Sequence, residues 1–376
     1  MEFATQNGPP LARGVPARSE VPWRSRAQRA VRAVGEQLGD WLRSVRFTVH
    51  ALEGRTRGGQ PLCILYAGGA PYRHYLRGLA FADGGHEHAL GRHWRWQLGD
   101  LASRRGADLR ATRCARALRR ALRAESSFYV PEWLWSEMPL GPETARQTGN
   151  TWTKIRKFRL VSTVTRDPAA LEHFYERMYV PLVKASHGDG ALFMGRDYML
   201  RRVANGEAEL VSVLQDGVAV GGCIVVYDDG CPRLFSLGVL DADASLLRQR
   251  VGVAIYLYSF CYLFERGFTR VNLGRSRPFL HDGVLRFKLD RGAKVTGSSH
   301  NGITIEPLKP SAALTELLCS QPCVGEDDDG LAVMFFTAPE ARGPTPAPPA
   351  GIARVVDVPL SAALARHPRA ALASCR

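Results

Sequence analysis

Lysine is nearly missing from this chain of 376 residues: there are six, at 154, 157, 184, 288, 294 and 309, against 44 arginines. The formal charge of +14 is therefore almost wholly guanidinium. Alongside abundant Ala and Gly, that skew looks like the bias of a GC-rich genome, so basic clusters by themselves do not mark a binding surface. Long apolar runs are missing too. The longest, Val251 to Phe264, falls short of the roughly 20 residues that a bilayer span requires, and reads as a buried core helix. The N-terminal stretch MEFATQNGPPLARGVPARSEVPWRSR has charges but lacks the apolar centre of a secretory signal. A cytoplasmic protein is expected, able at most to touch the inner face of a membrane. The eight cysteines (63, 114, 223, 231, 261, 319, 323 and 375) form no CxxC pair and no Cys/His cluster of metal-ligand spacing. They are expected to be reduced and mostly core. Cys319 and Cys323 are four apart and could share one helical face, but two thiols do not make a zinc site, and no metal is expected. Neither an RNP-like aromatic pattern nor zinc-finger spacing is present, which excludes sequence-specific reading of nucleic acid by those modules.

What is present fits a globular protein, with 45% hydrophobic and 23% charged residues. The length suggests two cores plus tails. Residues 1–28 mix Pro, Gly, Arg and polar residues without periodicity and are expected to be a disordered tail. Near the other end PEARGPTPAPPAG reads as an extended Pro/Ala linker, so 338–376 is taken as linker and C-terminal tail, with GIARVVDVPL returning as one edge strand. Residues 1–150 hold 23 Arg against 13 Asp plus Glu, or +10 of the +14 total. An anionic partner is expected there: nucleic acid or another phosphate-rich polymer, a nucleotide-linked sugar, or acidic lipid. Within RRGADLRATRCARALRRALRAESS, helical spacing would set Arg113, Arg116, Arg120 and Arg123 on one stripe, with Leu118 and Leu122 opposite.

The second half is easier to parse. Asp167 and Pro168 read as N-cap and first residue of a helix bearing Leu171, Phe174, Tyr175, Met178 and Leu182, which Pro181 should limit. A short helix fits GRDYMLRRVANG. AELVSVLQDG, VAVGGCIVVYDDG and CPRLFSLGVL follow as strands of an antiparallel meander. After them come the apolar helix ended by Gly267, the strand TRVNLGR, a helix near DGVLRFKLDRGA, and a last strand pair in KVTGSSHNGITIEPL. The order is ααβββαβαββ.

In this order a strand ending at Gly238 or Val239 leads through a short loop to RQRVGVA at the mouth of the apolar helix. First-turn amides lack intrahelical acceptors and, with the helix dipole, favour an anion such as a diphosphate. Gly252 and Ala254 would give it clearance, and Arg248 and Arg250 would add charge-assisted hydrogen bonds. A glycine for close packing in an ordinary core helix explains the same residues. The pattern [QR]xxGx[GA] is weak alone but occurs here once, at Gln249, directly after the meander.

Gln249-Arg250-Val251-Gly252-Val253-Ala254 resembles the acyl-CoA pyrophosphate loop of the GNAT N-acyltransferases, and the order of elements from Asp167 to about Pro307 resembles their fold. The segment NLGRSRPFLHDGVLRFKLDRGA, with Gly274, Arg275, Ser276, Gly283, Phe287, Lys288 and Gly292, is similar to the Fem-type branch, which includes peptidoglycan-precursor aminoacyltransferases and CelD-like acetyltransferases associated with exopolysaccharide and cellulose synthesis. The resemblance implies an α/β (α+β) protein of tandem GNAT-like domains, each a mixed sheet flanked by helices. Residues 30–150 would be a degenerate N-terminal domain and 151–337 the acyltransferase domain. It also implies acetyl-CoA or another acyl-CoA as co-substrate and a small-molecule or glycan-precursor amine as acceptor. The aminoacyl-tRNA-using members need no CoA loop, so QxxGxA favours the thioester. An aminoacyl-tRNA-dependent transferase and a non-catalytic accessory protein of polysaccharide assembly stay open as alternatives.

The chemistry requires an oxyanion donor, expected among the backbone amides of Leu237, Gly238 and Val239, and a proton path. Candidates for the latter are His281, Asp282, and Tyr256 or Tyr258. Asp282 is equally a helix cap, and the tyrosines are equally core. Lys288 occupies the Phe-Lys position that the resemblance places at the acyl-transfer site, where its ammonium could stabilise negative charge. A solvated helix face beside Arg286 and Arg291 is the competing reading. Arg275, Ser276 and Phe287 are expected on the acceptor side.

Overall fold

The computed structural model describes residues 45–122, 126–142, 149–187, 193–228, 230–338 and 348–360. The expected N-terminal tail, Arg123 and most of the Pro/Ala linker lie outside them. In chain order the first half runs β1 (Arg46–Arg55), β2 (Pro61–Ala67), α1 (Ala70–Ala80), β3 (His86–Trp94), α2 (Leu98–Arg105), β4 (Leu109–Ala115), β5 (Phe128–Pro131) and β6 (Leu134–Pro139). Then come α3 (Gly149–Lys157), β7 (Leu160–Thr165), α4 (Pro168–His173), a π-helical turn over Phe174–Tyr179, α5 (Val180–His187), α6 (Arg196–Ala204), β8 (Ala208–Gln215), β9 (Val218–Asp228) and β10 (Cys231–Val239). The rest is α7 (Ala244–Arg248), α8 (Val251–Glu265), β11 (Arg270–Ser276), α9 (Gly283–Leu289), β12 (Lys294–Ser298), β13 (Asn301–Pro307), α10 (Ala312–Ser320), β14 (Cys323–Asp327), β15 (Gly330–Thr337) and β16 (Arg354–Pro359).

The strands form three sheets, ordered β3-β1-β2-β4-β13-β5, β12-β6-β11-β10-β9-β8-β7 and β14-β15-β16. The architecture is mixed α/β, as expected. β8, β9 and β10 pair antiparallel, forming the meander. GIARVVDVPL does return as an edge strand, β16, parallel to β15. α4 starts as read: the Asp167 carboxylate accepts hydrogen bonds from the Ala169 and Ala170 amides, with Pro168 next in line. α8 ends in a Schellman motif, with Gly267 N–H donating to Phe264 O, Phe268 N–H to Leu263 O, and Gly267 at φ +84°.

Four expectations fail. The last strand pair is not a hairpin: β12 joins β6 in the seven-stranded sheet, whereas β13 enters the six-stranded sheet between β4 and β5. Strands adjacent in sequence need not share a sheet when each buries more apolar surface elsewhere, and Ile303 and Ile305 lie in the core of the first sheet. In the same way β6, before residue 151, sits between β12 and β11 of the second sheet. The arginine stripe is not helical either. Arg113 lies in β4, Arg116 and Leu118 in a single 3-10 turn, and the ladder that β4 makes with β2 and β13 overrides the helical spacing. Pro181 does not end the helix that Asp167 begins. The wider π turn of Phe174–Tyr179 leads straight into α5, relieving the contact a proline ring makes with the preceding turn. Finally, Cys319 and Cys323 do not share a helical face, because α10 stops at Ser320 and Cys323 begins β14.

The second core is built on glycines. A Cβ on Gly221 of β9 would lie 2.7 Å from Val251 Cγ1 and 3.0 Å from Ile255 Cδ1, so its absence lets α8 settle on the sheet. On the other face, a Cβ on Gly238 would lie 2.7 Å from the Met178 carbonyl carbon and the Tyr179 nitrogen. Gly238 pairs with Gly222, and Val239 with Gly221, so both close approaches meet at the end of β10. α8 buries Val251, Val253, Ala254, Ile255, Leu257, Tyr258, Phe260 and Leu263. Each large apolar side chain so buried contributes roughly 1.5–3 kcal/mol.

Candidate functional site

β10 and β11 run side by side and parallel, yet share a single registered pair, Arg233 with Asn272. Beyond it each strand follows its outer neighbour. β10 stays on β9 as far as Val239–Gly221, with a bulge between Leu234 and Ser236. β11 stays on β6 through Arg275–Trp135 and Ser276–Leu134, after a register shift between Asn272 and Arg275. Gly274 makes that shift possible. Its φ of +71° is one that other residues adopt only with strain, and its N–H donates to Asn272 Oδ1 at 2.7 Å. The seven-stranded sheet therefore splits in its middle, toward the carboxyl ends of β10 and β11.

The amino end of α8 lies beside that split. α7 and α8 are separate helices, so Leu247 and Arg248 close the first of them rather than opening the second. Gln249 and Arg250 form the joint, with Arg250 in the left-handed region at φ 72°. The first intrahelical bond runs from Ala254 N–H to Arg250 O, which places the amides of Val251, Gly252 and Val253 ahead of the ladder. Above Gly252 there is room: a Cβ there would meet only Leu247 Cδ2, at 4.0 Å. Arg248 and Arg250 are exposed. The Gln249 side chain is engaged with the fold, accepting from Gln215 Nε2, which also donates to Phe158 O.

Beside the joint, Tyr256 packs its ring 4.9 Å from that of Phe287, and the Arg291 guanidinium lies 3.5 Å over Phe287. Burial raises the Tyr256 pKa, with the nearby Cys223 thiol pushing the same way. Burial likewise lowers that of Arg291, helped by the positive charge of Arg250. Arg291 Nη1 donates to Phe287 O, while its buried Nε has no hydrogen-bond partner among the described residues. Tyr258 belongs to the core and donates to Leu160 O at 2.6 Å. Cys223 is buried, and desolvation pushes its thiol up to about 12, so it is no nucleophile.

Lys288 does not lie on a solvated face. It is 1% exposed, and its Nζ donates to Arg275 O at 2.9 Å and Gly274 O at 3.3 Å. Burial lowers its pKa to about 7, partly offset by the charge of Asp282. It thus pins the shifted end of β11 from beneath. Asp282 caps α9, its Oδ1 accepting from the Val284 and Leu285 amides, and its Oδ2 lies 3.5 Å from the Tyr75 hydroxyl of α1. His281 is exposed in the preceding loop. Arg275 is exposed and stacks 5.1 Å over Trp135, and the buried Ser276 Oγ has no partner among the described residues.

The structure thus brings together Arg250, Gly252, Tyr256, Phe287 and Lys288 along the split, and sets His281 and Asp282 toward the other end of α9. Arg291, read from the sequence only as part of a solvated face, and Arg277, not named there at all, also belong here. Arg277 is held by the rings of Trp133 at 3.8 Å, Tyr75 at 4.7 Å and Tyr72 at 5.0 Å, which ties the loop after β11 to the first half of the chain. Its place two residues beyond Arg275 was the available signal, but the rings it needs lie some 140 to 200 residues away in sequence. Among the described residues there is no group of three or more His, Cys, Asp or Glu that could hold a metal, and no helix long and apolar enough to cross a membrane.

Residues 145–289 match the family model of an acetyltransferase (GNAT) domain. No curated protein matches the chain. Among solved structures, the chain is similar to FemX, at 13% identity over 65% of this chain and 80% of that one, with a TM-score of 0.35. It is similar to a GCN5-related N-acetyltransferase from Kribbella flavida, at 13% identity over 75% and 96%, with a TM-score of 0.29. A third, an aminoglycoside acetyltransferase from an uncultured soil metagenomic sample, is 18% identical over 30% and 75%, with a TM-score of 0.23.

Proposed function

We propose, from the premise that residues 145–289 carry a GNAT-type acetyltransferase domain, that the chain transfers an acyl group from acyl-CoA, with acetyl-CoA the first choice, to an amine on a sugar or cell-envelope precursor. The observation that carries this reading is the parting of β10 and β11 beside the amides of Val251, Gly252 and Val253, which precede the ladder of α8, with open space over Gly252. A diphosphate suits those amides because no Cβ stands over Gly252 and two exposed arginines flank the joint. Bound acyl-CoA would supply the acyl group already activated as a thioester.

The chain's own residues would do the rest. Arg248 and Arg250 add charge at the diphosphate. A backbone amide of Leu237, Gly238 or Val239, on the strand edge that β11 has left, donates to the carbonyl oxygen as negative charge grows there. Tyr256, kept protonated by burial, donates its proton to the departing sulfur and regains one from solvent once the products leave. The acceptor amine arrives neutral beside Arg275 and Phe287, and loses its proton to solvent. Lys288, occupied by two carbonyls, keeps the β11 end in position. Holding donor and amine in this one cleft provides the proximity on which direct transfer depends.

Calorimetric titration with acetyl-CoA tests the reading. Wild type should bind, and Gly252→Glu, which sets bulk and negative charge over the amides, should bind at least tenfold more weakly. No heat from wild type, together with binding of aminoacyl-tRNA, would replace the thioester by the other donor. Equal binding by the variant would move the site away from α8.

A further inference from the structure

One end of the six-stranded sheet holds two large aromatic rings in water. Trp94, the last residue of β3, and Trp96, just beyond it, are 39% and 70% exposed, and their rings stack 5.0 Å apart at 9°. Indoles are among the largest apolar groups a protein can bury, so a stacked pair left outside marks a surface that something covers. β3 is the edge strand, and its partner β1 runs past the start of the β1–β2 ladder, which begins at Val49–Ala67. Arg46 pairs with Trp94 and Thr48 with Arg92. Residues directly opposed in an antiparallel ladder share a face, so Arg46, Thr48, Arg92 and Trp94 stand together, all exposed, while Phe47 and Val49 point into the core. The Arg46 guanidinium lies 5.2 Å over the Trp94 ring. Among the described residues the β1–β3 register places no carboxylate at this end; Glu53 and Glu87 belong to the opposite end of the ladder, paired with His86 and Leu52.

We propose that this end of the β1–β3 ladder docks on an anionic lipid bilayer, with the two indoles at headgroup level and Arg46 and Arg92 against lipid phosphates. Indoles favour the membrane interface, where an apolar body and a polar N–H are both satisfied. Basic residues draw a protein to an anionic leaflet across about a Debye length, and the excess of arginine in residues 1–150 adds to that attraction. Of the supposed helical stripe, Arg116 and Arg120 are already held by carboxylates elsewhere in the fold. Arg116 and Arg119 pair with Glu326, and Arg120 with Asp328. Single-stranded nucleic acid fits less well, because its platforms present separate rings to successive bases, whereas these two indoles cover each other. The docking does not depend on the acyl-transfer reading.

Co-sedimentation of the full chain with vesicles tests the proposal, comparing one-third phosphatidylglycerol in phosphatidylcholine with phosphatidylcholine alone. Wild type should pellet with the anionic vesicles at low salt and come off as salt rises. Replacing both indoles (Trp94→Ala with Trp96→Ala) should weaken binding at least tenfold, and Arg46→Ser with Arg92→Ser about 30-fold. These side chains are exposed, so both variants should melt as wild type does. Absence of pelleting, equal pelleting with neutral vesicles, or variants that bind as wild type would each overturn the assignment. Trp96-dependent binding to a single-stranded oligonucleotide without binding to vesicles would do so as well.

Discussion

Replacing Lys288 by Met should change how stability depends on pH, not merely how large it is. In the folded chain burial holds the Lys288 pKa near 7, against 10.5 for an ordinary lysine. Between those values the unfolded chain binds the proton and the folded chain sheds it, so this group makes stability rise with pH. Below about 7 both states are charged and the cost of burying the ammonium is felt in full. Integrated from pH 7.0 to 8.5, the single-site expression gives a gain of about 1.5 kcal/mol in wild type that Lys288→Met lacks. The window stops there because cysteines with raised pKa values, such as Cys63 and Cys323, begin to favour the unfolded chain above it. Urea unfolding at half-unit steps in pH, on both proteins, measures the difference. The variant also leaves the Gly274 and Arg275 carbonyls without their donor, which offsets its curve by about 1–3 kcal/mol at every pH but does not tilt it. Parallel curves, with a difference constant to a few tenths of a kcal/mol, would refute the reasoning: the ammonium would then reach solvent.

Two further substitutions test the scaffold of the site. Gly238→Ala puts a Cβ 2.7 Å from backbone atoms of Met178 and Tyr179, which cannot rotate away, so it should lower stability by roughly 1–3 kcal/mol, read as a fall in Tm. An unchanged Tm would mean that the π turn does not lie against β10. Glu209→Gln removes the buried carboxylate shared by Arg166, Arg266, Tyr227 and Tyr262. Burial works against its charge, but the tyrosine hydroxyls and the arginines outweigh burial and hold its pKa low. Its contribution is therefore present above the ordinary glutamate range and is lost as pH falls through the lowered value. At neutral pH the variant should lose about 3 kcal/mol in urea unfolding, and its stability should fall less on acidification than that of wild type.

The meander, the cap at Asp167, the Schellman end at Gly267 and the apolar body of α8 were all legible in the sequence, because local geometry decides them. Turn glycines, a capping carboxylate and a periodic pattern act over a few residues. The RQRVGVA signal was legible as a motif, but its boundaries were not: only the folded chain shows that Arg248 ends one helix and Val251 begins the next. The arginine stripe misled for the opposite reason. Spacing of three and four is also met by chance in a strand, and what fixed β4 as a strand was its pairing with β13, nearly 200 residues on.

By itself, then, the sequence determined the local elements and the residue types at the mouth of α8. Tertiary structure alone decided that β6 and β12 join the second sheet, that β13 joins the first, and that β10 and β11 separate where they do. It also decided that Lys288 is a buried peg rather than a free cation. Strand exchange between sheets and the burial of one ammonium depend on contacts between residues far apart in the chain, and a local pattern carries no trace of the partner it will meet.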